Sequence, residues 1–340
     1  MGLRRKRVWL ASVCALIALG ALGIGLLLRS SLTKTELAQK LAAIEKNRAF
    51  GALERREFSA DLGSGLESFE LVSFAASGSN SPAHVPVLLI HGTPSTLYTW
   101  SALIHGDAEF EGLAATRDVY ALEVIGHGIG PASSAPLTFE RCARYVNAAV
   151  RELGLERVHI VGSSYGGEFV WRAVLNEPAL YASMVLIDSS GFERREQDWL
   201  PEEIEMRENP LAKIGWLINA PDRIETALTP HFDVIPAGST EEFFLVCENR
   251  SNWEGMVDLA RDENGEREGE LKRIETPTLV LWGENDVAYD LEVYGKRFAA
   301  EIPGAKLHVL PNTGHYPHEQ RPAETLQALE SFFADVEAER

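Results

Sequence analysis

The sequence predicts an α/β fold: a mostly parallel central sheet flanked by helices, with an inserted helical cap and an N-terminal transmembrane helix. Three observations predict it. From about residue 55 onward, short apolar runs alternate with helical segments, the pattern of a sheet buried on both faces. Roughly 85 residues of different character separate two of those runs, too many for a plain loop. Val8 to Leu28 is an uncharged apolar stretch behind Arg4-Arg5-Lys6-Arg7.

A helix of about 20 such residues spans the hydrocarbon core of a bilayer. The Lys/Arg excess belongs on the cytoplasmic side, so residues after Arg29 are expected outside the cytoplasm, in the periplasm of a bacterium. The expected partner of residues 8–28 is therefore the lipid bilayer. Secretion after signal cleavage is the alternative, with Ala18-Leu19-Gly20 and Ala21-Leu22-Gly23 as cleavage sites; Ile24 to Leu28 continues the apolar run past both. Residues 1–29 are thus read as basic segment and anchor, and 30–54 as a stalk or a first helix packed on the core. Thr33 with Glu36 resembles a capping box, and Leu37, Leu41 and Ile44 share one face.

The body divides into core residues 55–190, cap 191–275 and core 276–340. Arg56 to Ala60 and Ser68 to Ala75 read as a hairpin around Leu62-Gly63-Ser64-Gly65. Val85 to His91, Val119 to Val124, Val158 to Val161, Val185 to Asp188 and Thr278 to Trp282 read as buried strands. Leu307 to Leu310 is the last strand, and Ala323 to about Val336 the last helix. The cap carries Trp199, Trp216, Trp253, Phe243 and Phe244, with helical spacing in Glu202 to Ile218 and Glu241 to Asn249. It is expected over the C-terminal edge of the sheet, where open α/β sheets bind ligands; its aromatics serve mainly its own core, some of them lining an apolar pocket.

A formal charge of −18 argues against nucleic acid as a partner. Cys14, Cys142 and Cys247 make no framework and no metal motif, and the last two read as buried small hydrophobes. Oligomeric state is not legible.

The chemistry centres on Val158-His159-Ile160-Val161-Gly162-Ser163-Ser164-Tyr165-Gly166-Gly167, a strand running into Gly-x-Ser-x-Gly with a helical segment, Glu168 to Leu175, behind it. A serine on such a turn is held in a strained conformation that exposes its hydroxyl, and the following helix aims its first amides at developing negative charge. Ser164 is the candidate nucleophile. It needs a base and an orienting carboxylate. His315, directly after Gly314 on the loop behind the last strand, is the candidate base; its neighbour His318 reads as capping or solvating a helix. Asp286, past the strand Leu279 to Trp282 and a glycine, is the candidate acid, with Asp188 its serious rival and Glu284 and Asp290 nearby alternatives. Transition-state charge needs two backbone donors, for which Tyr165 N–H and Thr93 N–H are the candidates. The latter lies in the turn His91-Gly92-Thr93-Pro94, where His91 reads as structural.

On these residues the chain resembles the α/β-hydrolase superfamily from about Arg56 to the C-terminus, broken by the cap. His91-Gly92-Thr93-Pro94 with Trp100 downstream is similar to the branch with a His-Gly-x-Pro turn: epoxide hydrolases, haloalkane dehalogenases, esterases and cofactor-free haloperoxidases. Glu123 stands where the family usually has Asp. Epoxide hydrolases and dehalogenases of this type attack with aspartate; Ser164 in that place favours acyl transfer, because a serine alkyl ether is a dead end. The resemblance implies a serine hydrolase cleaving a carboxylic ester or related acyl bond of a small-molecule substrate, with no cofactor or metal; with the anchor read from residues 8–28, the expectation is a membrane-anchored one. Carbon–carbon hydrolysis of diketone ring-cleavage products is the runner-up, and a non-catalytic binding member of the fold the alternative from another class.

Overall fold

Residues 87–90 show how one strand builds two cores at once. Val87 and Leu89 point into one apolar layer and Leu88 and Ile90 into the other, all fully buried. That strand lies near the middle of the sheet in a computed structural model that describes residues 32–78, 84–199, 201–209, 212 and 220–339. The strands are β1 (Glu54–Asp61), β2 (Leu66–Ala76), β3 (Val87–Ile90), β4 (Val119–Leu122), β5 (Val158–Ser163), β6 (Tyr181–Ile187), β7 (Thr278–Gly283) and β8 (Lys306–Leu310). They form one eight-stranded sheet in the order β1-β2-β4-β3-β5-β6-β7-β8. The hairpin β1/β2 and the β2/β4 pairing are antiparallel; every other neighbour is parallel. The C-terminal ends of β3 to β8 therefore share one edge.

Helices cover both faces. Helix α1 (Lys34–Ala43), with the capping box of Thr33 and Glu36 formed, buries Leu37 and Leu41 in the layer that also holds Leu329 and Phe333 of the last helix. Helices α2 (Phe139–Glu152) and α3 (Tyr165–Asn176) fill the opposite layer through Phe139, Cys142, Val146, Phe169 and Trp171. Between β6 and β7 lie the cap helices α4 (Pro201–Glu208), α5 (Ala220–Leu228), α6 (Ser239–Glu248) and α7 (Arg250–Asp262), and α8 (Pro322–Ala338) closes the chain. Strand β6 starts four residues before the expected Val185. Ser183 breaks the apolar run in sequence, yet it is buried because its Oγ bonds His159 Nδ1 at 2.7 Å on the neighbouring strand.

The expected membrane-spanning helix requires correction. Among the described residues no helix is long and apolar enough to cross a membrane. The longest of them, α8, has 17 residues, carries Glu324, Glu330, Asp335 and Glu337, and buries one face against the sheet; a span needs about 20 mainly apolar residues. The fold class of the described residues is thus the eight-stranded α/β sheet with its helices, none of which is that element, and the single-pass, extracytoplasmic placement draws no support from them. The segment 8–28 to which it was assigned, like Cys14 and Trp216, lies outside the described residues.

Candidate active site

Gly162-Ser163-Ser164-Tyr165-Gly166 makes the step from β5 into α3. Ser164 has φ 55° and ψ −127°, a conformation L-residues rarely adopt; such outliers cost of order 1–3 kcal/mol and persist only when the surroundings impose them. Here they do. Ser164 N–H donates to Ile187 O at 2.9 Å, and its carbonyl accepts from Gly167 N at 2.9 Å and Ser190 N at 3.2 Å. Glycine is required beside it: a Cβ at Gly166 would lie 2.4 Å from His91 O and 2.5 Å from Ile90 O.

The turn after β3 packs on this serine. A Cβ at Gly92 would lie 2.7 Å from Ser164 Cβ, so the chain of residues 91–94 passes as close as a backbone can. His91 is buried, donates from Nδ1 to Gly92 O (2.8 Å) and accepts Val124 N–H at Nε2 (3.2 Å), a structural arrangement; burial pushes its pKa down to about 4. Thr93 Oγ1 bonds His127 Nε2. Thr93 and Tyr165 both line the cavity that Ser164 enters, and among the described residues neither amide has a protein acceptor. Glu123, fully buried, accepts from Leu97 N (3.0 Å) and Ile129 N (3.2 Å), tying this turn to the next, and burial raises its pKa to about 8.

Two loops from neighbouring strands bring the other candidates together. His315 Nδ1 bonds Asp286 Oδ2 at 2.9 Å. The other Asp286 oxygen accepts from Ala288 N (2.8 Å) and Tyr289 N (3.2 Å). Burial penalises the Asp286 charge, but the facing His315 and His231 rings and the Tyr289 amide more than offset it, holding the carboxyl below its usual range. Asp188, the rival, does not bond His315. Its Oδ1 accepts from Gly283 N at 2.9 Å, and burial together with the Asp286 charge raises its pKa well above the usual range. Glu284 instead accepts from Asn312 N, and Asp290 caps the turn at Val293. His318 departs from expectation: it neither caps nor meets solvent, but is buried against Trp100 (4.4 Å between ring centroids) and bonds Thr99 Oγ1 at 2.9 Å. Asp188, Asp286 and His315 have ligand-type atoms within 4.8 Å of one another; two of the three, Asp286 and His315, are already joined by a hydrogen bond.

Ser164 and His315 open on one cleft whose free space, the open solvent at its mouth included, is about 910 Å³. The cap supplies most of its wall: Met206, Ile224, Leu228, Phe243, Cys247, Trp253 and Met256 make it apolar, and among the described residues Glu203 is its charged member. Trp199 is not part of this wall; it stacks under the Arg194 and Arg207 guanidinium groups.

Sequence reasoning missed three residues here. His231 lines the cavity with its ring 5.5 Å from that of His315; its carbonyl accepts His315 N–H at 3.1 Å, and burial lowers its pKa to about 4. Glu263, just past α7, accepts from Tyr165 OH and Tyr289 OH, both at 2.7 Å, and burial raises its pKa to about 7. Nothing in sequence marks either, because the contacts that bring them to the site join residues distant along the chain. Tyr289 was findable: an aspartate followed by a tight turn offers its carboxylate to amides two and three residues on.

A doubly wound sheet with a serine on its nucleophile-type turn and a buried Asp–His pair at the same edge defines a hydrolase of the α/β class. Comparison with known proteins agrees. A sequence profile of the alpha/beta hydrolase family matches residues 87–328, and the chain belongs to that family. It is 26% identical over 246 residues to an uncharacterized hydrolase, YugF, of Bacillus subtilis, covering 71% of this chain and 87% of that protein. It is 25% identical over 266 residues to the 2-hydroxymuconate semialdehyde hydrolase of Pseudomonas putida, covering 74% and 88%. Among solved structures, a thermophilic esterase from Thermogutta terrifontis superposes with a TM-score of 0.66 at 21% identity, covering 84% of this chain and 99% of the esterase. The protein is therefore a hydrolase.

Proposed function

We propose that this hydrolase cleaves a carboxylic ester, or a related acyl bond, through an acyl-enzyme on Ser164. The carrying observation is the shared cavity: Ser164 and His315 both line it, and Asp286 holds His315 through Nδ1, leaving Nε2 without a protein partner among the described residues. In this reading His315 Nε2 takes the Ser164 proton as Oγ attacks the carbonyl carbon. The Thr93 and Tyr165 amides receive the negative charge that forms on the carbonyl oxygen, with the positive end of α3 behind them. The alcohol leaves with the proton from His315. Water, deprotonated by the same imidazole, then releases the acid.

The walls select substrate. Apolar side chains and the single carboxylate of Glu203 favour an uncharged, apolar ester, since among the described residues no Lys or Arg lines the cavity to pair an anion. Carbon–carbon hydrolysis draws support from the likeness to the Pseudomonas putida enzyme. The missing cation weighs against an anionic substrate for that reaction.

Aryl esters of increasing acyl length, assayed on the wild type and Ser164→Ala, test the proposal. Wild type is expected to turn over uncharged esters and to be labelled by a fluorophosphonate, with Ser164→Ala losing about 10³-fold or more in kcat and all labelling. Full activity in Ser164→Ala would remove the serine from the mechanism.

A further inference from the structure

Asp188 is a buried carboxyl that the proposed mechanism leaves without a task. It follows β6 directly, one strand over from the loop that carries Asp286, and is completely inaccessible to solvent. Its backbone sits at φ 43°, one of three non-glycine residues with positive φ among those described, and another of the three is Ser164. Asp188 N–H donates to Leu281 O, and Oδ1 accepts from Gly283 N at 2.9 Å, so the side chain is aimed along the β7 end toward Asp286. Its second oxygen, Oδ2, is buried and receives no hydrogen bond from any described donor. Ligand-type atoms of Asp188, Asp286 and His315 lie within 4.8 Å of one another.

Two carboxylates this close in a dry site do not both ionise; one keeps its proton. Asp286 is the one stabilised as an anion, by the Ala288 and Tyr289 amides and by His315. The proton then belongs on Asp188, whose burial and anionic neighbour both disfavour its charge.

We infer that Asp188 is a positioning residue: its Oδ2 carries a hydrogen and donates it to the Asp286 carboxylate, so that the acid behind His315 is a carboxyl–carboxylate pair sharing one proton. This arrangement gives Oδ2 a partner, and gives Asp286 a fourth donor, beside Ala288 N, Tyr289 N and His315, that helps keep its Oδ2 turned to His315. It also leaves the pair with a single negative charge. The titratable groups facing Asp188 and its partner are Asp286 and His315, with His231 behind them.

The inference rests on the proposed roles of Asp286 and His315 only for its kinetic consequence, so the test has an arm that does not use activity. Infrared spectra of the whole chain, unlabelled and carrying carboxyl-¹³C aspartate, are recorded at pH 7. A protonated-carboxyl carbonyl band that moves on labelling and is missing from Asp188→Asn is expected. A wild type without an aspartic-acid band overturns the inference without any variant having to fold.

The kinetic arm compares Asp188→Asn, which keeps an acceptor and a donor at the same place, with Asp188→Ala, both checked by thermal melting. Because a neutral group replaces a neutral group, Asp188→Asn should keep kcat within about 3-fold and leave the acid limb of the pH–rate profile in place. Asp188→Ala should lower kcat about 10-fold or more with little change in KM. An acid limb moved about one pH unit downward in Asp188→Asn would show that a second negative charge had been removed, and would overturn the shared proton. Loss of ester hydrolysis in neither Ser164→Ala nor Asp286→Asn would refute the catalytic reading while leaving the infrared result standing.

Discussion

At the scale of single residues, the site depends on backbone being allowed where side chains are not. Ser164 occupies its positive-φ position because the strand before it and the helix after it leave the peptide no other course, and because Gly166 lets the His91 carbonyl approach. Gly166→Ala would place a methyl 2.4 Å from that carbonyl. The only relief is to part β3 from β5, and overpacking of this kind costs about 3 kcal/mol; urea denaturation should show that loss, with activity falling alongside it. At Asp286 the expected effect is kinetic. Asp286→Asn keeps the shape but presents an amide to His315 Nδ1, favouring the wrong tautomer, so kcat should drop by about 10³–10⁴-fold with the melting temperature little changed. A drop of under 10-fold would show that Asp286 is not the orienting acid.

At the scale of elements, the last loop and the cap hold each other. The carbonyl of His231 accepts His315 N–H at 3.1 Å and Gln320 Nε2 at 2.9 Å, so His315 is fixed through its side chain by Asp286 and through its backbone by the cap. Gly314 makes this possible: a Cβ there would lie 2.3 Å from His231 O. Gly314→Ala should therefore push residues 229–231 away from His315. The expected result is a fall of about 10- to 100-fold in kcat/KM, the size of effect that follows from misplacing a catalytic group by an ångström, with far-UV circular dichroism unchanged. The strands and the order of elements were legible because alternating apolar runs and glycine punctuation are local signals. The start of β6 was not, since Ser183 is buried on the strength of a bond to His159 that only the sheet creates.

At the scale of the whole molecule, Glu263 joins cap and core. It lies past the last cap helix and accepts from Tyr165, which follows Ser164, and from Tyr289, whose amide bonds Asp286. Its folded pKa of about 7 stands above the ordinary glutamate value of 4.5. The folded state thus holds a proton that the unfolded chain has released, and this group's stabilisation is present below about pH 4.5 and lost as pH rises through about 7. The span corresponds to roughly 3 kcal/mol. Glu263→Gln, which cannot ionise, should flatten the fall in stability over that window; denaturation midpoints at pH 5, 6, 7 and 8 would show it. An unchanged slope would mean that Glu263 is ionised throughout.

Sequence alone determined the class of fold, the serine and its turn, and a short set of histidines and carboxylates from which partners must come. These are properties of neighbours along the chain: a strand, a glycine-flanked turn and a helix follow one another within about a dozen residues, and local sterics set their conformation. Only the tertiary structure decided that Asp286 and not Asp188 bonds His315, that His318 is buried against Trp100, and that His231 and Glu263 belong to the site. Among the described residues it also shows no helix long and apolar enough to span a membrane. Which side chains meet depends on strand order and on how a cap distant in sequence settles on the sheet edge, and hydropathy read along one chain carries no record of either.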